Sequence, residues 1–198
     1  ASRLEDAVYE KEKLEHRRKM HAIKEELVAH LTENFPDAMA EKGSAKAELL
    51  FEEAVDELVH RNILEKDKRP DGRGLAEVRS LDGEVSLFKR THGSAVFMRG
   101  NTQALAITTL ASPGAEQLVE TMVTTGKRRF LLHYNFPPYS VGEVGTFRGP
   151  GRREIGHGAL AEKALIYLIP SKDEFPYTIR VVSEILSSNG SSSMATVS

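Results

Sequence analysis

The chain has 198 residues, 40% of them apolar and 28% charged, and no cysteine. This suits a globular protein of one generous or two modest domains, and it excludes disulfide scaffolds, thiolate metal sites and cysteine nucleophiles. No run approaches the roughly 18 uninterrupted apolar residues of a membrane span, and the charged N-terminus has no signal-peptide core. The net charge of -2 conceals a division: residues 1–66 carry 11 basic against 16 acidic side chains, and residues 67–198 carry 16 against 13. The second segment is therefore the better candidate for an anionic partner.

Residues 1–66 contain one glycine and one proline amid Ala, Glu, Leu and Lys, a helix-forming mix. Ala1 to Lys19 reads as a charged helix, and Leu14, Met20, Ile23, Leu27 and Leu31 continue an approximately helical spacing. Asn34-Phe35-Pro36-Asp37 breaks it, and a second helix is expected from about Ser44, with Leu49, Leu50, Ala54, Val55, Leu58 and Val59 on its apolar stripe. This all-helical segment, 1–66, is expected to pack as a hairpin or small bundle separate from the rest.

Composition changes at Lys66-Asp67-Lys68-Arg69-Pro70-Asp71-Gly72-Arg73, where Gly and Pro become frequent. Strands are expected near Glu84–Phe88, Ala95–Met98, Ala104–Leu110, Phe130–Phe136 and Thr178–Leu186, with tight antiparallel connections around His92-Gly93-Ser94 and Arg99-Gly100-Asn101-Thr102. One helix is expected from about Arg153 to Leu168, ended by Pro170, and another begins in the Ser191–Val197 stretch. The order predicts an α+β core, 67–198, behind a helical appendage. The core lacks a closing element at Ser198, so the chain is expected to be a piece of a longer one.

Three clusters carry possible chemistry. Gly149-Pro150-Gly151-Arg152-Arg153-Glu154-Ile155-Gly156-His157-Gly158 opens a helix with two guanidinium groups beside orphan backbone N–H groups, a favourable setting for phosphate. Arg153 and His157 share a helix face; equally, both arginines are solvated and His157 packs against a neighbour. Ser187-Ser188-Asn189-Gly190-Ser191-Ser192-Ser193 follows a strand and precedes a helix, so it reads either as an amide-and-hydroxyl phosphate cradle or as a Ser-rich turn with N-capping. In Phe130–Glu143, aromatic residues beside Pro and Gly either stack on single-stranded bases or fill core and turn positions. His16, His21, His30 and His60 form no i,i+4 pair, and Glu143, Glu154 and Glu184 form no identifiable acid–base pair. The residues alone reach a phosphate or RNA site and go no further.

Arg69-Pro70-Asp71-Gly72-Arg73, Thr91-His92-Gly93-Ser94-Ala95, Arg99-Gly100-Asn101-Thr102-Gln103, His133 to Ser140, Arg152 to Gly158 and Ser188 to Met194 together resemble the polynucleotide phosphorylase family. They match its second RNase PH-like core domain in order and approximate spacing over about 67–198. The segment 1–66 is similar by position to the end of the family's helical linker domain. The resemblance implies an incomplete RNase PH-like β-α core belonging to a phosphorolytic 3′-to-5′ exoribonuclease. Such an enzyme degrades single-stranded RNA with inorganic phosphate to nucleoside diphosphates, runs in reverse as a polymerase and takes part in mRNA turnover. Arg152 and Arg153 match the active-site arginine pair, Ser192 and Ser193 the phosphate-binding serines, and His157 a position near the RNA 3′ end. The resemblance further implies Mg²⁺ held by aspartates downstream of Ser198, so no metal ligand is expected within these residues and the piece alone is expected to be inactive. It also implies a homotrimer in the full-length protein, with no membrane partner, in the bacterial cytoplasm or else a mitochondrion or plastid. The alternative is a catalytically silent RNase PH-like subunit that binds RNA or completes a ring. If the arginines and serines share one pocket, the strand over 178–186 must deliver the serine loop beside the start of the Arg153 helix.

Overall fold

The computed structural model describes residues 2–40 and 43–198, which fall into two compact units, Ala1–Val78 and Arg79–Ser198. Ala1, where the first helix was expected to begin, lies outside the described residues.

The first unit holds α1 (Ser2–Val8), α2 (Lys13–Asn34), α3 (Pro36–Met39) and α4 (Gly43–Lys66). The helix expected to run unbroken through Lys19 is interrupted between Val8 and Lys13. Glu12 caps α2 by accepting the Glu15 N–H at 2.7 Å. Tyr9 turns instead toward the segment after α4: its hydroxyl donates to the Lys68 carbonyl, and the Lys68 ammonium lies 3.9 Å from its ring centre. Buried Asn62 donates to Glu5, and Glu5 also pairs with Lys66 and Lys68. The composition shift after Lys66 thus coincides with the end of α4, while contacts keep 67–78 with the helices. Apolar burial in this unit is slight, centred on Ala7, Val8, Ala47 and Phe51.

The second unit is built on a mixed sheet of β1 (Leu81–Val85), β2 (Gly93–Arg99), β3 (Thr102–Ala111), β6 (Phe130–Asn135) and β7 (Thr178–Ser187). The spatial order is β1-β2-β3-β7-β6; every neighbouring pair is antiparallel except β6 and β7, which run parallel. Gly100, at φ 55°, makes the tight β2–β3 connection, a backbone conformation glycine adopts without steric cost. The other tight connection, expected near His92, is absent: Gly93 and Ser94 already belong to β2, and the longer segment 86–92 joins it to β1. β1 also lies earlier than expected. Ser86, at φ 62°, ends the strand, and the Phe88 N–H is captured by the Ser94 hydroxyl.

A separate hairpin, β4 (Gln117–Glu120) and β5 (Thr125–Arg128), was not expected from the sequence. It is almost wholly exposed, so it carries no in–out alternation to read. The expected helix over 153–168 is α5 (Arg152–Leu165) followed by a 3₁₀ turn over Ile166–Leu168, and α6 (Ser192–Val197) follows the serine loop.

Period-two alternation sends Phe130, Leu132 and Tyr134 of β6 and Ile179, Ser183 and Ile185 of β7 to one face, where they are buried. Ala161 of α5 and Ala195 of α6 cover that face. α5 approaches β6 so closely that a Cβ on Gly158 would stand 3.3 Å from the Leu132 carbonyl oxygen.

Candidate active site

Because β6 and β7 are parallel neighbours, the segments leaving their C-terminal ends emerge at the same end of the sheet, a frequent place for ligands in sheets with parallel strands. One segment leads into α5, the other is the serine loop leading into α6. The topology thereby brings together two clusters about 40 positions apart in sequence (an Arg153 to Ser192 spacing).

Their meeting point is a pair of buried rings. Tyr134, 2% exposed, and Phe136 stack with centres 6.2 Å apart and planes 16° from parallel. The Arg153 guanidinium carbon lies 3.8 Å from the Phe136 ring centre, a cation–π contact that holds the charge over the platform. His157, one helical turn on, meets Tyr134 edge-on at 5.4 Å. On the other side, the Tyr134 hydroxyl and Ser192 Oγ are 2.7 Å apart in a buried hydrogen bond. Of the two readings open for the aromatic segment, core and turn packing holds for Phe130, Tyr134 and Phe136, whereas Tyr139 is exposed.

The structure therefore gathers Arg153, His157 and Ser192 around one platform. Arg152 is exposed and Ser193 half-buried; among the described residues neither side chain has a hydrogen-bonding or ionic partner. His157 Nδ1 is buried without a partner. Glu154 is turned away from this chemistry, its carboxylate accepting the Gly151 N–H at 2.9 Å and so capping the start of α5.

The serine loop is held from behind by residues that no sequence pattern singled out as functional. Thr102, fully buried, donates to the Gly190 carbonyl at 3.2 Å and accepts the Asn189 N–H at 3.0 Å. Arg79 donates to the Asn189 carbonyl at 2.8 Å, and the Ser140 carbonyl accepts the Ser188 N–H. Thr102 stands in the Arg99–Gln103 motif, so the motif was visible but its role was not. Gly190 and Ser191 both take left-handed conformations, at φ 85° and 57°. Beyond α5 lies a cavity of about 530 Å³ lined by Ile155, Glu162, Arg128, His133 and Arg180, and none of the expected site residues reaches it.

Burial raises the Tyr134 phenol above its ordinary pKa, against the smaller opposing effects of the Ser192 hydrogen bond and the Arg153 charge. The platform itself offers guanidinium, imidazole and hydroxyl groups, a donor set for oxyanions. No three His, Asp or Glu side chains among the described residues are grouped to hold a metal ion. The donors here do not fit a divalent cation.

The family model described as "3' exoribonuclease family, domain 1" matches residues 77–198, and that described as "Polyribonucleotide nucleotidyltransferase, RNA binding domain" matches residues 1–74. Among curated relatives, the polyribonucleotide nucleotidyltransferase of Thermosipho melanesiensis is 53% identical over 189 residues, covering 94% of this chain and 27% of its own length. That of Desulfitobacterium hafniense is 47% identical, covering 98% of this chain and 26% of its own length. That of Thermotoga maritima is 60% identical over 148 residues, 75% of this chain and 21% of its own. The chain thus spans about a quarter of these relatives. Among solved structures, the Archaeoglobus fulgidus exosome with RNA bound to the active site aligns with a TM-score of 0.52 at 18% identity, covering 71% of this chain and 56% of that one, a likeness of fold.

Proposed function

The chain belongs to the 3′ exoribonuclease family, and from that membership we propose that it supplies part of the active site of a phosphorolytic 3′-to-5′ exoribonuclease, a polyribonucleotide nucleotidyltransferase acting on single-stranded RNA. The carrying observation is the shared platform: Arg153 rests on Phe136, Phe136 stacks on Tyr134, and Tyr134 is bonded to Ser192.

In the proposed reaction, an oxygen of inorganic phosphate attacks the phosphorus of the 3′-terminal phosphodiester. The bond from phosphorus to the 3′ oxygen of the preceding nucleotide breaks, and that oxygen keeps the electron pair and takes a proton. The terminal nucleotide leaves as a diphosphate carrying the former inorganic phosphate as its β-phosphate. Arg152 and Arg153 pair with the anionic oxygens of the scissile group, and Ser192 and Ser193 hold the attacking phosphate. His157 lies on the Arg153 side, where the RNA 3′ end would enter. Most of the catalytic effect is positioning and charge stabilisation, as in other phosphoryl transfers. The Mg²⁺ implied for the family would neutralise phosphate charge; the side chains of this platform do not supply its ligands.

Relatives matched over both segments support RNA as the partner, and an exosome likeness is consistent with ring assembly. We assign the full-length protein a homotrimeric state, with the cytoplasm as its compartment; light scattering returning a monomer at micromolar concentration would contradict the trimer. The function itself is tested by incubating the full-length protein with single-stranded RNA while phosphate is varied. Release of nucleoside diphosphates in proportion to phosphate is expected. Nucleoside monophosphates released without phosphate would contradict it, and no release at all would favour the silent subunit.

A further inference from the structure

The contact between Tyr134 and Ser192 joins β6 to the start of α6 through a buried side-chain hydrogen bond, and its direction has a consequence for phosphate. The two oxygens are 2.7 Å apart and either could donate. A phenol has one proton, and among the described residues the Tyr134 oxygen has no other hydrogen-bonding partner. The pair has two protons and one hydrogen bond, and both residues are buried, Tyr134 at 2% and Ser192 at 4%, so without a ligand either direction leaves one proton unsatisfied. An anion beside Ser192 satisfies both only if Tyr134 donates to Ser192 and Ser192 donates to the anion. With Tyr134 donating, the phenol is satisfied and Ser192 Oγ accepts. The Ser192 proton then has no acceptor among the described residues.

We propose that Tyr134 is a positioning residue that fixes Ser192 as an acceptor toward the phenol, so that the serine proton is presented to an oxygen of the attacking inorganic phosphate. This rests on the reading of Ser192 as a phosphate-binding residue. A hydroxyl can meet an anion only as a donor, and a neighbour that donates to its oxygen while leaving its proton free favours that role. Burial raises the pKa of the phenol and keeps it protonated, which the donor role requires. The neighbours reinforce the geometry. Thr196 Oγ1 donates to the Ser192 carbonyl at 3.1 Å and shares a 2.8 Å hydrogen bond with the Ser183 hydroxyl, anchoring the first turn of α6 to β7. The ring of Tyr134 also supports His157 and Phe136, but those contacts need no hydroxyl. Removing the oxygen alone therefore separates the polar role from the packing role.

The test compares Tyr134→Phe, Ser192→Ala and the double variant in the full-length enzyme, with steady-state phosphorolysis of a single-stranded RNA as phosphate is varied. Thermal melting checks that each variant is folded. Tyr134→Phe is expected to raise the KM for inorganic phosphate roughly three- to tenfold, the loss of a directed hydrogen bond to an anion. RNA affinity measured without phosphate should be unchanged. In the Ser192→Ala background the same tyrosine change should alter the phosphate KM less than about twofold, because the residue it acts through is gone. An unchanged phosphate KM in Tyr134→Phe overturns the proposal, as does an equal penalty in the presence and absence of the serine. If Ser192→Ala itself leaves the phosphate KM unchanged, the phosphate-site reading fails and the positioning role falls with it.

Discussion

Gly156 and Gly158 lie two residues apart on α5, yet the same substitution should move stability in opposite directions. Alanine in place of an exposed mid-helix glycine gains about 0.5–1 kcal/mol from reduced backbone entropy in the unfolded chain. At Gly156 nothing stands within 4 Å of an added Cβ, so Gly156→Ala should keep that full gain. At Gly158 the new Cβ would lie 3.3 Å from the Leu132 carbonyl oxygen, 3.5 Å from the Tyr134 nitrogen and 3.6 Å from the Tyr134 Cβ. The tightest, at 3.3 Å, is to a backbone atom of β6 that cannot rotate aside, so α5 has to shift by a few tenths of an ångström. Overpacking of this kind costs about 1–3 kcal/mol. Set against the propensity gain, Gly158→Ala should be destabilising by about 0–2.5 kcal/mol and should lie about 1–3 kcal/mol below Gly156→Ala. Urea denaturation of the 198-residue chain followed by far-ultraviolet circular dichroism measures both. A shift of α5 against β6 also moves Arg153 relative to the Phe136 ring, so under the proposed function Gly158→Ala should lower phosphorolysis in the full-length protein more than Gly156→Ala does. Equal stabilisation by the two substitutions would refute the close approach of α5 to β6.

Thr102→Val removes two of the hydrogen bonds that hold Asn189 and Gly190, leaving the one from Arg79. It should cost about 1–3 kcal/mol in denaturation and also weaken phosphate binding, since an unsatisfied loop loses its register. His133 accepts a hydrogen bond from Arg180 at 3.0 Å, and its pKa is lowered by burial first, then by the positive charges of Arg180 and Arg128. The folded state therefore binds fewer protons than the unfolded one in the window below the ordinary histidine pKa, so stability should fall as pH drops from about 7 through that window. His133→Gln, which keeps an acceptor for Arg180, should flatten that part of a stability–pH profile; an unaltered slope would remove His133 as the cause.

The strands that position the site were legible because their burial alternates. Phe130, Leu132 and Tyr134, and Ile179 and Ile185, announce a one-sided sheet in the sequence itself. The β4–β5 hairpin was not legible because Leu118, Met122 and Val123 are exposed, and an element with no buried face leaves no period. The start of β1 was misplaced because its end is set by the backbone of Ser86 and the Ser94 hydroxyl, a local geometry rather than a pattern. Helix interruption at Tyr9 likewise depends on Lys68, which lies far along the chain. At the site, the arginine and serine clusters stood out by composition and spacing. What joins them did not: the parallel pairing of β6 with β7, the Tyr134–Ser192 bond and the Thr102 and Arg79 tethers are long-range contacts that no local window contains.

We propose that the Arg152–Arg153 cluster and the serine loop form one anion site for phosphorolysis. Replacing both arginines by glutamate in the full-length protein converts two phosphate-pairing cations into two repelling anions. Both side chains are exposed, so neither change empties a core. Nucleoside diphosphate release from single-stranded RNA, measured with Mg²⁺ as phosphate is varied, should be abolished while thermal melting stays near that of the parent. Turnover like that of the parent would show these arginines to be ordinary surface charge and would contradict the account.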